Sequence, residues 1–300
     1  MYPIVSVIIP TFNRAYCIER AISSVLNQTF QDFEIIVIDN FSEDNTEELI
    51  KSFGNKQIKY CKYDNKGVIS LSRNKGIYLS KSKYIAFLDS DDWWKTNKLE
   101  ISIGFLESGY DFICHGLEIS RRYNLNPIAN EYTYYINKLK SPFSQSLLKD
   151  GNTIDTSSVI LRRDIILSLG GFSEQKELSG SEDYDMWFRV SCVTNNFYVI
   201  KENLGFLYFG EDNFSNEKKL KNAIPLLIDR FEKLCQGRKQ KPTYLYFLAS
   251  SIYLRLGYLK KALKFSKLIF LYESRITFKI QVLIKLIFSI LKKIAKYLMF

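Results

Sequence analysis

Apolar residues in the first ninety positions fall into short uninterrupted runs, and between the runs they recur at three- and four-residue intervals. Residues 5–9, 33–38, 58–60 and 84–88 have the length and β-branched content of buried strands. Residues 18–28, 44–53 and 70–80 have the spacing of amphipathic helices. Ser42 or Asp44 would cap the second of these, with Glu47 and Glu48 in its first turn. Strands alternating with helices across short connections predict βαβ units and a mainly parallel, layered α/β sheet. Farther on, residues 112–115 and 158–161 predict two more strands. Residues 163–169 predict a short helix stopped by Gly170-Gly171, and residues 183–193 another helix. From about 120 to 150 the chain is aromatic, polar and weakly periodic, which predicts a long loop closing over a ligand.

After residue 215 strand patterns fade and helical ones take over. Ala249, Tyr253, Gly257, Tyr258 and Ala262 have the rhythm of one helical hairpin, with no second copy at a fixed period. Over residues 279–300, Lys285, Ser289, Lys292 and Lys296 share one helical stripe. Ile280, Leu283, Ile284, Ile287, Leu291 and Ile294 share the opposite one. Lysines recur too often there for a membrane span, and the pattern predicts a helix lying on an anionic membrane surface or packing on the main domain.

Composition sharpens this division. The 300 residues are 46% hydrophobic and carry a formal net charge of +10. Residues 1–215 hold 23 Lys and Arg against 28 Asp and Glu, whereas residues 216–300 hold 19 against 4. The basic excess therefore lies in the tail, and it gives the main domain no nucleic-acid footprint. Five scattered cysteines without a C-x-x-C pair predict a reducing, cytosolic setting and neither a disulfide framework nor a zinc site. The first residues enter a strand directly, without the charged start of a secretory signal.

The candidate chemistry lies at the ends of the predicted strands. Asp89, Asp91 and Asp92 follow the strand at 84–88, where ligands bind in open α/β sheets, and clustered Asp oxygens suit Mg²⁺ or Mn²⁺. Read in isolation, the same cluster is also an acidic helix cap. The turn after the first strand, Pro10-Thr11-Phe12-Asn13-Arg14, contains no glycine, and the first glycine is Gly54, so a glycine-rich dinucleotide turn is excluded. Asp39 ends the second strand, where it can accept hydrogen bonds from a base or ribose or cap a helix. Arg73 lies before the strand that delivers Asp89; taken alone it is a surface charge, and in this context a fork of donors for a diphosphate. Trp93 offers a face for a sugar ring or a place in the core. A second acidic group, Glu182, Asp183 and Asp185, opens a helix whose dipole favours ionised carboxylates, as a proton acceptor requires.

Six segments occur in order: V-S-V-I-I-P-T-F-N-R at 5–14, V-I-D-N-x-S-x-D-N-T at 37–46, S-R-N-K-G-I at 72–77, F-L-D-S-D-D at 87–92, G-G-F at 170–172 and E-D-Y-D at 182–185. Together they resemble the family 2 glycosyltransferases of GT-A fold, over about residues 3–215. The resemblance implies an α/β GT-A domain at 1–215, with a nucleotide-sugar half at about 1–110 and an acceptor half at about 111–215. A helical extension would follow at 216–300. It implies an inverting transferase using Mn²⁺ or Mg²⁺ and a nucleotide-sugar, with a UDP-sugar preferred. The acceptor would be a glycan or lipid-linked hydroxyl in bacterial surface polysaccharide synthesis.

By position, Pro10, Thr11, Asn13, Asp39, Arg73, Asp89, Ser90 and Asp91 would hold the donor, with Asp91 and Asp89 at the metal. Asp183 would be the catalytic base, with Glu182 and Trp93 beside the acceptor. The protein would be cytoplasmic and peripheral on the inner face of the membrane. Asn40-Phe41-Ser42 departs from the usual Asp-Gly-Ser. The Leu207 to Asn213 stretch lacks the Tyr-Arg-x-His element of many members, leaving Glu211 or Asp212 as substitutes. Two other readings are a sugar nucleotidyltransferase, against which the glycine-free first turn counts, and an inactive transferase-like binding module.

Overall fold

The computed structural model describes residues 2–120, 139–208, 217–237 and 240–298. One half of an eight-stranded sheet is parallel, with β1 (Val5–Thr11) between β2 (Phe33–Asp39) and β4 (Tyr84–Phe87), and β3 (Ile58–Lys62) outside β2. Every residue of β1, β2 and β4 is buried, as parallel strands covered on both faces must be. Strand alternation divides their side chains between two layers. Val5, Val7 and Ile9 pack with helix α1 (Ile18–Leu26), while Ile8, Ile85 and Phe87 face the opposite layer with Phe172 and Trp187. Helix α2 (Thr46–Ser52) links β2 to β3, and α3 (Ile69–Leu79) links β3 to β4. A Cβ on Gly76 of α3 would stand 2.5 Å from Ile8 Cγ2, so this glycine lets α3 press against β1.

The other half of the sheet is mixed. β7 (Ile160–Arg162) runs antiparallel to both β4 and β6 (Phe112–Ser120). β6 pairs in parallel with β8 (Phe197–Tyr208), across a register shift at Gly116, and β5 (Trp93–Trp94) pairs antiparallel with the end of β8. The sequence pattern identifies neither β8 nor helix α4 (Lys98–Glu107). In β8, exposed Lys201 and Glu202 interrupt the apolar alternation that would have marked it. The expected loop from about 120 to 150 is corrected in two places: β6 runs on to Ser120, and Phe143–Asp150 forms helix α5. Positions 121–138 of that loop lie outside the described residues. Helices α6 (Arg163–Ser168) and α7 (Glu182–Val193) stand close to their expected bounds.

The basic segment is helical as its pattern requires: α8 (Glu217–Leu234), α9 (Thr243–Arg255), α10 (Leu259–Tyr272) and α11 (Ile276–Leu298). Its charge does not set it apart in packing. Ala223, Leu227 and Phe231 of α8 share one core with Tyr184 and Phe188 of α7, where the Phe188 and Phe231 rings stack at 3.9 Å. Arg275 donates to Asp150 Oδ1 at 2.6 Å, fixing the start of α11 to the end of α5. On α11, Val282 and Leu286 face inward, while Ile276, Ile280, Leu283, Ile284, Ile287 and Leu291 are exposed. Among the described residues no helix is long and apolar enough to cross a membrane.

Candidate active site

Three parallel strands, β1, β2 and β4, end at one edge of the sheet and bring Thr11, Asp39 and the Asp89 loop there. Pro10 and Thr11 close β1, and Thr11 Oγ1 is buried without a hydrogen-bond partner among the described residues. A hydroxyl left in that state stands ready for a ligand atom, since burial without a partner is costly. Asp39, fully buried at the end of β2, accepts from the Ser42 amide at 3.0 Å, the Ser42 hydroxyl at 2.6 Å and the Tyr60 hydroxyl. Asn13 joins the two turns, its amide donating to Ser42 Oγ at 2.8 Å and its Oδ1 accepting from the Glu43 amide at 2.8 Å. Phe41 takes a left-handed φ of 56° with its ring exposed, so the turn is kept in spite of the missing glycine. A left-handed conformation costs a non-glycine residue about 1–2 kcal/mol.

The loop after β4 separates its three aspartates by environment. Asp92 turns inward, where Oδ1 accepts from the Tyr208 amide at 2.9 Å and Oδ2 from the Ser157 hydroxyl. Burial and the neighbouring Asp91 charge push its carboxyl well above the usual range, so its role is to hold the loop. Asp89 accepts from Arg73 at 2.8 Å. Ser90 between them is buried. Asp91 has Arg14 at 3.9 Å from its carboxylate, and its carbonyl accepts from Arg20 at 2.7 Å. Burial and the Asp89 charge raise the Asp91 carboxyl, which marks an excess of negative charge that a cation would relieve.

A divalent ion fits that donor set in one form. No group of three or more potential ligands gathers among the described residues. Asp89 and Asp91 would supply two hard carboxylate ligands, and phosphate and water oxygens would have to complete the shell, as is usual for Mg²⁺-type ions.

Arg73 connects this loop to the second acidic group. It is 3% exposed, correcting the surface reading of a lone helix arginine, and it donates to Asp89 Oδ1 and to Glu182 Oε1, each at 2.8 Å. Burial opposes its charge, yet Asp89 and Glu182 outweigh burial and hold its pKa above the ordinary value. The other oxygen of Glu182 accepts from the Gly180 and Ser181 amides at 2.6 and 3.1 Å, so its carboxylate is occupied by Arg73 and its own turn.

Next to it, Asp183 accepts from the Tyr184 amide at 2.7 Å and from Asn152 Nδ2 at 2.9 Å. Burial, reinforced by the Glu182 charge, pushes the Asp183 carboxyl up to about 7. A carboxylate poised near neutrality is matched to general-base work. The third acid of the segment, Asp185, accepts from Arg189 of its own helix and from Arg230 of α8, each at 2.9 Å, which ties α7 to the C-terminal region.

Arg73 thus bonds Asp89 on one side and Glu182, the neighbour of Asp183, on the other, with Asp91 in the same loop as Asp89 and with Thr11 and Asp39 at the adjacent strand ends. Trp93 stands apart in its contacts: its ring stacks on Phe206 with centroids 4.9 Å apart and lies under the Arg20 guanidinium at 3.6 Å. Glu211 and Asp212 lie outside the described residues. His115 is buried in the β6 irregularity, pushed down to about 3 by burial and by Lys98. Sequence reasoning missed Asn152, Asp155, Ser157 and Arg20. The polar cluster Asn152-Thr153-Ile154-Asp155-Thr156-Ser157-Ser158, set directly before a predicted strand, was the available signal.

The model of the family described as "Glycosyl transferase family 2" matches residues 6–168. Over 205 residues the chain is 32% identical to the UDP-Glc:alpha-D-GlcNAc-diphosphoundecaprenol beta-1,3-glucosyltransferase WfgD of Escherichia coli, covering 68% of this chain and 75% of that one. It is 33% identical to the poly(ribitol-phosphate) beta-N-acetylglucosaminyltransferase TarP of Staphylococcus aureus over 231 residues, 70% of each chain. It spans only 16% of an uncharacterized Rickettsia bellii glycosyltransferase, to which it is 47% identical over 112 residues. The crystal structure of S. aureus TarS 1–349 in complex with UDP-GlcNAc superposes with a TM-score of 0.62 at 17% identity, covering 96% of this chain and 81% of that one, and shows the shared GT-A fold. The chain belongs to glycosyl transferase family 2, a family of sugar-transferring enzymes.

Proposed function

We propose that the protein is an inverting glycosyltransferase that moves a sugar from a nucleotide-sugar, a UDP-sugar in preference, to a hydroxyl of a glycan or lipid-linked acceptor in surface polymer synthesis. The observation that carries this reading is Arg73, whose guanidinium bonds both Asp89 and Glu182 although 93 residues separate the two carboxylates in sequence. Thr11 and Asp39 receive the nucleotide, Pro10 and Asn13 shape its turn, and Ser90 with Asp89 and Asp91 lines the diphosphate end. A divalent ion held by Asp91 and Asp89 would supply positive charge to the departing diphosphate.

Asp183 accepts the proton of the acceptor hydroxyl as its oxygen bonds to C1 of the sugar. The bond from C1 to the diphosphate oxygen breaks on the opposite face, and the single displacement inverts C1. A positioned base of this kind contributes roughly 10²–10⁴-fold. Glu182 acts in this scheme by keeping Arg73 between the two acidic groups. Trp93, stacked on Phe206, would meet an acceptor with its edge.

Two features favour a peripheral position on the inner, anionic face of a membrane. The outward stripe of α11 is apolar, and the sequence from 216 onward is strongly basic.

Incubating the protein with a panel of nucleotide-sugars and Mn²⁺ tests the reaction class. Release of nucleoside diphosphate from one donor is the expected result. Release of pyrophosphate, or no turnover of any donor, would contradict it.

A further inference from the structure

One short segment outside both acidic motifs touches both. It begins after Gly151, whose φ is 84° and where a Cβ would stand 2.3 Å from the Tyr244 ring of α9, so no larger residue lets the chain pass. Asn152 then donates from Nδ2 to Asp183 Oδ2 at 2.9 Å, while its Oδ1 accepts from the Ile154 amide at 3.1 Å. The second bond fixes which way the amide points and commits its NH₂ to the base. Asp155 caps a single 3₁₀ turn, Thr156–Ser158, by accepting from the Ser157 amide at 2.9 Å.

That turn presents Ser157, which is fully buried. Its hydroxyl accepts from the Asp89 amide at 3.0 Å and donates to Asp92, and its carbonyl accepts from Trp94 Nε1 at 2.8 Å. From the residue that bonds Asp183 to the anchor of the Asp89–Asp92 loop the path is six residues of chain, Asn152 to Ser157.

We infer that Asn152 is a positioning residue for the Asp183 base, and that the segment from Asn152 to Ser157 is a strap setting the base and the Asp89–Asp92 loop in one register. The inference rests on the reading of Asp183 as base. Both carboxylate oxygens of Asp183 then have a fixed donor, Tyr184 N–H on Oδ1 and Asn152 on Oδ2. One lone pair on each remains for the incoming hydroxyl. The charged groups acting on Asp183 are Glu182, Asp89 and Asp155, which favour its protonated form, and Arg73, which favours its ionised form. Asn152 adds a neutral donor to the ionised side of that balance, since a hydrogen bond to the charged form lowers a pKa.

The test is the pH profile of transfer for Asn152→Ala and Asn152→Asp, with Asp183→Asn measured beside them. Loss of the donor in Asn152→Ala moves the acidic limb upward from near 7 by about one pH unit, with kcat at pH 7 down about fivefold and donor affinity unchanged. Asn152→Asp, which places a second carboxylate against the base, moves the limb farther up. A merely structural role would lower activity at every pH and leave the limb in place, and that result, like wild-type behaviour, would overturn the inference. Thermal unfolding of each variant separates misfolding from the titration effect, because a folded fraction changes amplitude and leaves the midpoint alone. If Asp183→Asn is inactive while the Asn152 profiles overlay wild type, the strap alone is wrong. If Asp183→Asn transfers normally, the base assignment itself is wrong.

Discussion

On the donor side of the cleft, Thr11, Asp39 and Asp89 each stand at or just beyond the end of a parallel strand, all within the first ninety residues. On the base side, Asp183 depends on Asn152 from a loop, on Arg73 from α3 through Glu182, and on α8, whose Arg230 grips Asp185. The position of the donor side is therefore set by backbone topology, because the carboxyl ends of parallel strands border the crevice where ligands bind in open α/β sheets. The Asp183 side is set by tertiary contacts drawn from three other stretches of chain. Arg73 is the residue common to both, and variants sort by which side they touch.

The largest effect belongs to Arg73→Met, which leaves the Asp89 and Glu182 carboxylates facing each other without their shared cation. Breaking a buried pair of this kind costs about 3–5 kcal/mol of stability. Removing a positioned electrostatic group lowers kcat by roughly 10²–10³-fold. Denaturant unfolding and transfer kinetics measure the two losses. A variant that kept both stability and rate would show that the two sides do not depend on a common residue.

This division explains what was legible in the sequence. The strands at 5–9, 33–38, 58–60 and 84–88 read clearly because burial on both faces makes them unbroken apolar runs, and the chemistry follows at their ends. β8 did not read, since exposed Lys201 and Glu202 break its pattern and its pairing with β6 is a long-range event. Glu182 and Asp183 were visible as a charged helix start, but Asn152 and Ser157 were not, because a lone amide or hydroxyl in a polar loop carries no periodicity. Arg73 looks like a surface charge from its own helix, and only the carboxylates from other segments make its burial tolerable. The change of charge at 215 marked a change of composition, not of core: the Phe231 ring stacks on Phe188 of α7 with centroids 3.9 Å apart.

The smallest effect on catalysis is expected from a change that touches neither side. Ile284→Glu and Ile287→Glu alter exposed positions on α11, so stability and transfer to a soluble acceptor should change little. Flotation with anionic vesicles should nonetheless lose most of the bound protein, because each charge replaces apolar contact with the acyl boundary. Unchanged flotation would assign the stripe to something other than a lipid surface.

The most direct test of two cooperating carboxylate groups sets Asp91→Ala beside Asp183→Asn, with Mn²⁺-dependent donor binding measured by calorimetry and sugar transfer measured on the same preparations. Asp91→Ala should lose Mn²⁺-dependent donor binding, whereas Asp183→Asn should bind donor as wild type does and fail to transfer. Undiminished donor binding by the first variant, or wild-type transfer by the second, would contradict the division of labour across the cleft.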